Sequence, residues 1–304
     1  MIRPALPASV VIREVGPRDG LQAEAPLPPA SRAALIDALA DAGLRKIEAV
    51  SFVSESRVPA MAGAGDVWSR VRARDGVRYS ALVPNRSGAE AAVAAGGFGA
   101  LQAFVSASDG YNRKNAGKGV EESMGDVADV IAVGSTAGIP VEVSLSAAFG
   151  DPYGEGASTA EVVRAVERLA ELGAAGVSLG DTTGMATPTR VWDLLGALGE
   201  RVPGVRLNLH FHDTRGTAMA NVLAALQAGV GEFDASIGGM GGSPFAPGAN
   251  GNVATEDLAA MLHDLGIEVG VDLTKLAAAA RLAGELVGRE LPGHLGRAPA
   301  EGEA

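Results

Sequence analysis

Residues 206–229 read RLNLHFHDTRGTAMANVLAALQAG. The first seven alternate in the manner of a strand, and the run from Thr217 to Ala228 carries Ala, Val and Leu at helical spacing until Gly229 stops it. A strand that ends on two histidines and passes into a helix is one βα unit. The same alternation recurs on both sides of it. Upstream, strands are expected at 10–15, 46–50, 77–83, 100–105, 141–145 and 176–179, and downstream at 232–236. Helical spacing fills 31–42, 58–72, 87–95, 120–137, 159–172 and 188–199, with closing helices at 255–265 and 272–287. The stretch SASDGYNRKNAGKG reads as a polar connection.

Eight strand-then-helix units match a TIM (β/α)8 barrel, which needs about 250 residues; a doubly wound open sheet is the alternative. The placing of polar residues favours the barrel. They come after strand upon strand at the C-terminal end: Arg18 and Asp19, Glu48, Asn85, Asp181, His210 and His212, and Asn252 after the eighth. Only a closed barrel brings the first and eighth strand ends together. No composition break divides the chain, so residues 1–290 are expected to form one catalytic barrel domain with C-terminal helices. The tail at 291–304 has the composition of a disordered segment.

The 25 Lys+Arg against 36 Asp+Glu leave a formal net charge of −11, which argues against a nucleic-acid binder or an anionic-membrane binder. With no cysteine, disulfides, thiolate zinc sites and cysteine nucleophiles are excluded. No apolar run approaches the roughly 20 residues of a membrane helix, and MIRPALPASVVIREV lacks the apolar core of a signal peptide. A cytoplasmic protein is expected.

His210 and His212, in HFHD, share one face of their strand, because alternate strand side chains point the same way. Two imidazoles side by side at a barrel mouth suit a divalent metal; a partly exposed pair with no ligand is the plain alternative. Asp213 beside them suits a helix cap or a partner to a ligand. GPRDGLQ, residues 16–22, has the makings of a simple turn, yet it sets Asp19 where a hard oxygen ligand belongs and Arg18 where oxyanion charge would develop. The glycine-rich run at 238–251 either relieves backbone strain or lets the loop close on a substrate, with Asn252 able to lend an amide oxygen. His263 and His294 read as structural or solvated residues, whereas Arg113 and Lys114 read equally well as part of a solvated loop or as cations that meet the phosphates or carboxylate of an anionic substrate.

GPRDGLQAE, IEAVSFVS, VPN, SLGDTTGMATP, HFHDTRGTAMAN and GGSPFAPGANGNVATEDL together resemble the hydroxymethylglutaryl-CoA lyases. These belong to the metal-dependent TIM-barrel lyases and synthases that share Arg-Asp-Gly-x-Gln. The resemblance runs from Val11 to Leu265 in the family's order. It implies Mg2+ or Mn2+ on Asp19, His210, His212 and Asn252, and a catalytic arginine at Arg18. It implies an acid/base role for His210 and an acyl pocket lined or supported by Gln22, Glu48, Ser51, Ser178, Asp181 and Thr182. It also implies an acyl-CoA substrate, a homodimer, and retro-aldol cleavage to acetyl-CoA and a keto acid.

The chain departs from that pattern at Ser243, which stands where the family's loop carries a catalytic cysteine, at Asp151, which replaces a second family cysteine, and at Ala25, where relatives have a basic residue. A thiol of pKa about 8.5 is a far better proton donor than a serine hydroxyl. Two other readings stay open. A Claisen-type synthase of the isopropylmalate or homocitrate kind shares the motifs but adds a sizeable C-terminal region, and few residues here lie beyond Leu265. A metal-binding, non-catalytic paralogue would be expected to have lost at least one ligand.

Overall fold

The aliphatic runs become the staves of a closed barrel. In the computed structural model, which describes residues 5–151, 157–242 and 251–297, the strands are β1 (Val11–Glu14), β2 (Lys46–Ser51), β3 (Arg78–Leu82), β4 (Ala100–Ser106), β5 (Val141–Ser146), β6 (Gly176–Asp181), β7 (Leu207–Phe211) and β8 (Glu232–Ala235). All pair in parallel in sequence order, and β8 closes on β1. Around them lie α1 (Pro29–Asp41), α2 (Ala64–Arg70), α3 (Arg86–Ala95), α4 (Asp109–Ala116), α5 (Val120–Ala137), α6 (Thr159–Glu171), α7 (Pro188–Arg201), α8 (Ala218–Gln227), α9 (Thr255–Asp264) and α10 (Leu273–Val287).

Local chemistry sets the helix ends. Asn85, Ser108, Thr187 and Asp272 each accept a backbone N–H from the first turn, and Ser158 with Glu161 forms a reciprocal capping box. α5 and α10 end on glycines in the left-handed region, Gly138 and Gly288.

Three segments differ from the sequence expectation. The stretch read as a polar connection contains α4, because Ser108 caps it and Tyr111 and Asn112 bury its inner face. The stretch 58–72 is not one helix: Pro59 opens a short 3-10 turn, Gly63 takes φ 71°, and only then does α2 begin. The GPRDG turn is a wide helical turn in which the Val15 carbonyl accepts the N–H groups of Arg18, Asp19 and Gly20. The domain boundary drawn at 290 also falls inside placed chain. Leu291 is buried against Gly238, while the N–H groups of His294 and Leu295 donate to Asp257 of α9. Residues 298–304 lie outside the described residues.

Two pairings set the geometry of the barrel mouth. In the β7–β8 ladder His210 stands opposite Asp234, and in the β8–β1 ladder Glu14 stands opposite Ala235. After β8 the returning chain crosses the mouth. Val253 N–H donates to the Phe211 carbonyl at 3.1 Å, Ser236 N–H to Val253 at 3.0 Å, and Asn252 bridges to His212. Asn252 is thereby delivered to the end of β7.

Candidate active site

The turn after β1 starts from Glu14, whose buried carboxylate accepts Gly16 N–H at 2.7 Å, Ile237 N–H at 2.9 Å and Thr255 Oγ–H at 2.6 Å. This one side chain ties the Arg18–Asp19 turn to the exit of β8 and the start of α9. Burial pushes its pKa up to about 7, although the three donors work the other way.

Arg18 and Asp19 face each other across this turn. Arg18 donates from Nε and Nη2 to both oxygens of Glu48, at 2.8 and 3.1 Å, and from Nη1 to Asp19 at 2.8 Å. Burial opposes the Arg18 charge, but Glu48 and Asp19 outweigh it and raise its pKa. Asp19 also accepts from Gln22 Nε2 at 3.0 Å and from Asn252 Nδ2 at 2.8 Å. Burial opposes its ionised form too, yet Arg18, His210 and His212 more than compensate and hold its pKa below the usual range.

His210 and His212 stand on one face with ring centroids 4.9 Å apart. Nδ1 of His210 lies 3.1 Å from Asp234, and Nδ1 of His212 lies 3.0 Å from the Asp181 carbonyl. The two rings differ in consequence. Burial lowers both, but Asp234 and Asp19 reverse this for His210, whose pKa rises, while His212 falls to about 4 with His210 as a second cause.

Asp19, His210 and His212 each offer one ligand atom, and these atoms lie within 4.8 Å of one another. Beside them Asn252 holds its amide nitrogen to Asp19 and to the Met240 carbonyl at 3.0 Å, while its buried Oδ1 has no hydrogen-bond partner among the described residues. A buried carbonyl oxygen left open, beside a carboxylate and two imidazoles, is a donor set that suits a hard or borderline divalent cation.

The other expected site residues fall into two groups. Gln22 and Glu48 support the Arg18–Asp19 pair, and Ser51 is buried with its hydroxyl unpaired among the described residues. Ser178, Asp181 and Thr182 bond within the barrel, although Oδ2 of Asp181 has no partner among the described residues. Ser178 donates to Asp234 at 3.1 Å, Asp181 accepts from Met185 and Ala186 N–H at 2.7 and 2.9 Å, and Thr182 accepts from Ala147 N–H at 2.9 Å. Burial raises Asp181 to about 6 despite those two donors. Asp213 accepts from Ala218 N–H, so it caps α8. Arg113 is exposed and paired with Asp109, and His263 and His294 are exposed beside Asp264 and Asp257. Ser243 lies outside the described residues.

Sequence reading missed Asp234, Glu14 and Arg13. The signal was present as charges within buried, otherwise apolar strands, VIRE and EFDA, where an ionised group is costly unless partnered.

A family model described as HMGL-like matches residues 9–283. The chain is 44% identical over 287 residues to a hydroxymethylglutaryl-CoA lyase of Bacillus subtilis, covering 94% of this chain and 96% of that one. It is 46% identical over 272 residues to the mitochondrial hydroxymethylglutaryl-CoA lyase of Mus musculus, covering 89% and 83%. The crystal structure of the Bacillus subtilis HMG-CoA lyase superposes with a TM-score of 0.92 at 43% identity, covering 95% and 97%. An Acinetobacter baumannii HMG-CoA lyase, solved in complex with coenzyme A and 3-methylmalate, gives 0.92 at 35%, covering 98% and 97%.

Thr182 and Ala147 generate a prediction. In Thr182→Val the shape is kept and the buried Ala147 N–H loses its acceptor, which costs about 1–3 kcal/mol. Urea unfolding should show that loss at an unchanged slope; a variant as stable as the parent would make the bond dispensable.

Proposed function

The chain belongs to the HMGL-like family, and from that premise we propose that it cleaves 3-hydroxy-3-methylglutaryl-CoA, or a closely related 3-hydroxy-acyl-CoA, to acetyl-CoA and a keto acid. It is a carbon–carbon lyase of the hydroxymethylglutaryl-CoA lyase kind. The observation that carries the substrate reading is the junction of two features at one mouth: a guanidinium held by two acids, and an oxygen-nitrogen donor set with an open amide oxygen. The coenzyme A found in the Acinetobacter baumannii lyase supports a thioester substrate here.

Asp19, His210, His212 and Asn252 would hold Mg2+ or Mn2+. Such an ion, when bound, polarises a ligand oxygen and eases loss of its proton. In the retro-aldol direction the C3 hydroxyl gives up its proton and the C2–C3 bond breaks. Its electron pair passes into the thioester as an enolate, which takes a proton at C2 and leaves as acetyl-CoA. Arg18 has the charge and position to stabilise that enolate, and Glu48 and Asp19 hold its guanidinium still. His210 is the assigned proton acceptor. Since Nδ1 is engaged with Asp234, ligation and proton transfer would be alternating uses of its Nε2. Gln22 and Ser51 are assigned to the acyl pocket, while Ser178, Asp181 and Thr182 support it from behind. Ser243 is assigned the family cysteine's place as donor to C2. We extend the reading to a homodimer in the cytoplasm; among the described residues no helix is long and apolar enough to cross a membrane.

Release of acetyl-CoA from a panel of 3-hydroxy-acyl-CoA thioesters with Mg2+ or Mn2+ tests the reading. No release from any of them would overturn it. Condensation of acetyl-CoA with a keto acid as the sole activity would point to a synthase.

Two variants probe the assigned roles. Arg18→Gln should fold normally and lose at least about a hundredfold in kcat, because the guanidinium acts on charge that appears only in the transition state. A misfolded Arg18→Gln would make that residue structural. Ser243→Cys should raise turnover on 3-hydroxy-3-methylglutaryl-CoA under reducing conditions, since a positioned general acid contributes roughly 10²–10⁴-fold. Ser243→Ala should cost little, because a serine hydroxyl is so weak an acid at neutral pH that it donates little from that place. An inactive Ser243→Ala with no gain in Ser243→Cys would instead make the serine a positioning group for substrate or water.

A further inference from the structure

Asp234 lies in the barrel interior with its side chain almost fully buried, and donors from three other strands converge on it. Arg13 of β1 donates from Nε at 2.6 Å and from Nη2 at 2.7 Å. Asn208 of β7 donates from Nδ2 at 2.7 Å, and Ser178 of β6 from Oγ at 3.1 Å. Arg13 is itself fixed, because its Nη1 donates to Glu142 of β5 at 2.9 Å, and Glu142 also accepts from Gln102 at 2.9 Å. The remaining contact of Asp234 is His210 Nδ1.

A guanidinium cannot accept a hydrogen bond, so Asp234 is bound to Arg13 as an acceptor on both oxygens. Two charge-assisted bonds keep it ionised, and an ionised carboxylate has no proton to give. His210 Nδ1 must therefore be the donor. The ring is held as the Nδ1–H tautomer, and Nε2 is the nitrogen left with a lone pair. His212 reaches the same tautomer by another route, since the Asp181 carbonyl can only accept. Only His210 has a full negative charge behind it.

We propose that Asp234 is the positioning residue for His210: its carboxylate, locked by Arg13, fixes the imidazole as the Nδ1–H tautomer and presents Nε2 to the metal site. Charge behind an imidazole raises its basicity as a ligand, and loss of such a partner typically costs 10–100-fold in metal affinity. The proposal rests on the metal-dependent reading of the site for the ion, and on geometry alone for the tautomer.

The test uses Asp234→Asn in the full chain, titrated calorimetrically with Mn2+. The dissociation constant should rise tenfold to a hundredfold. A folded Asp234→Asn that binds Mn2+ as the parent does would overturn the proposal. Should Asp234→Asn fail to fold because Arg13 is left as a buried unpaired cation, the double variant Arg13→Gln/Asp234→Asn removes both charges and is read the same way. Independently, imidazole 1H–15N spectra of the metal-free parent, taken at a pH high enough for the His210 ring to be neutral, should show it protonated at Nδ1 and bare at Nε2, with assignment aided by there being four histidines in all. An Nε2–H tautomer for His210 would sink the idea. A parent that binds Mn2+ and passes both tests yet releases no acetyl-CoA would overturn the lyase reading alone.

Discussion

Closure of β8 on β1 is the constraint on which the site depends. Asp19 comes just after the first strand and Asn252 after the last, 233 residues apart, yet their side chains meet at 2.8 Å. The ladder from Val11–Glu232 to Glu14–Ala235 makes that possible, and Glu14 carries the closure beyond the strands by tying Gly16 to Ile237 and Thr255. An open sheet of the same elements would leave Asp19 and Asn252 at opposite edges. The donor set at the mouth is thus a property of the closed topology, and local sequence supplies only the side chains.

Below the mouth the barrel interior holds Arg13, Glu142 and Asp234, with Gln102 and Asn208 among them. Each ion removed from water costs several kcal/mol, and pairing returns that only when the geometry is good and the remaining donors and acceptors are met. Here bidentate geometry between Arg13 and Asp234 comes close to meeting it. Well-packed apolar residues would serve stability about as well in such a layer. What they would not supply is a fixed negative charge beneath His210. The two histidines, two residues apart on one strand and adjacent in space, are distinguished by what lies behind them: a carboxylate for one, a backbone carbonyl for the other.

Much of the architecture was legible in the chain. Periodicity and glycine stops located all eight strands and most helices, because aliphatic runs in a parallel barrel are buried on both faces and read strongly. Arg18, Asp19, His210, His212 and Asn252 were legible as polar residues at strand ends. Glu48 and Thr182 were named as lining or supporting the acyl pocket; the oxygens of Glu48 bond Arg18, and Thr182 accepts from Ala147 N–H. Motif reading ranks residues by proximity to the mouth and cannot tell a side chain that lines the site from one that props it. Asp234 escaped for the converse reason. Its partners come from β1, β6 and β7, so nothing within EFDA marks it except the cost of placing an acid in a buried strand. α4 escaped because its composition is polar, and what anchors it, the Ser108 cap and an inner Tyr-Asn pair among others, leaves no apolar periodicity to read.

The glycines after β8 were read as relieving backbone strain or as letting the loop close on a substrate; backbone freedom applies at defined positions, and so does a close approach of chain to chain that neither reading named. Gly238 and Gly239 take φ of 66° and 69°, a region that other residues enter at a cost. Gly241, at φ 112°, has a further reason. A side chain there would run into Asn252 Nδ2 and come within 3.3 Å of the Asp19 carboxylate. A side chain at Gly251 would likewise collide with the Gly239 carbonyl. The two ends of the loop are therefore pressed against each other and against two of the assigned ligands. A substituent at Gly241 would displace Asn252 or Asp19, and one at Gly251 would push on the Gly239 carbonyl. The glycine spacing is thus part of the geometry of the candidate metal site, set by how closely backbone must pass a carboxylate and an amide that meet across the barrel's closure.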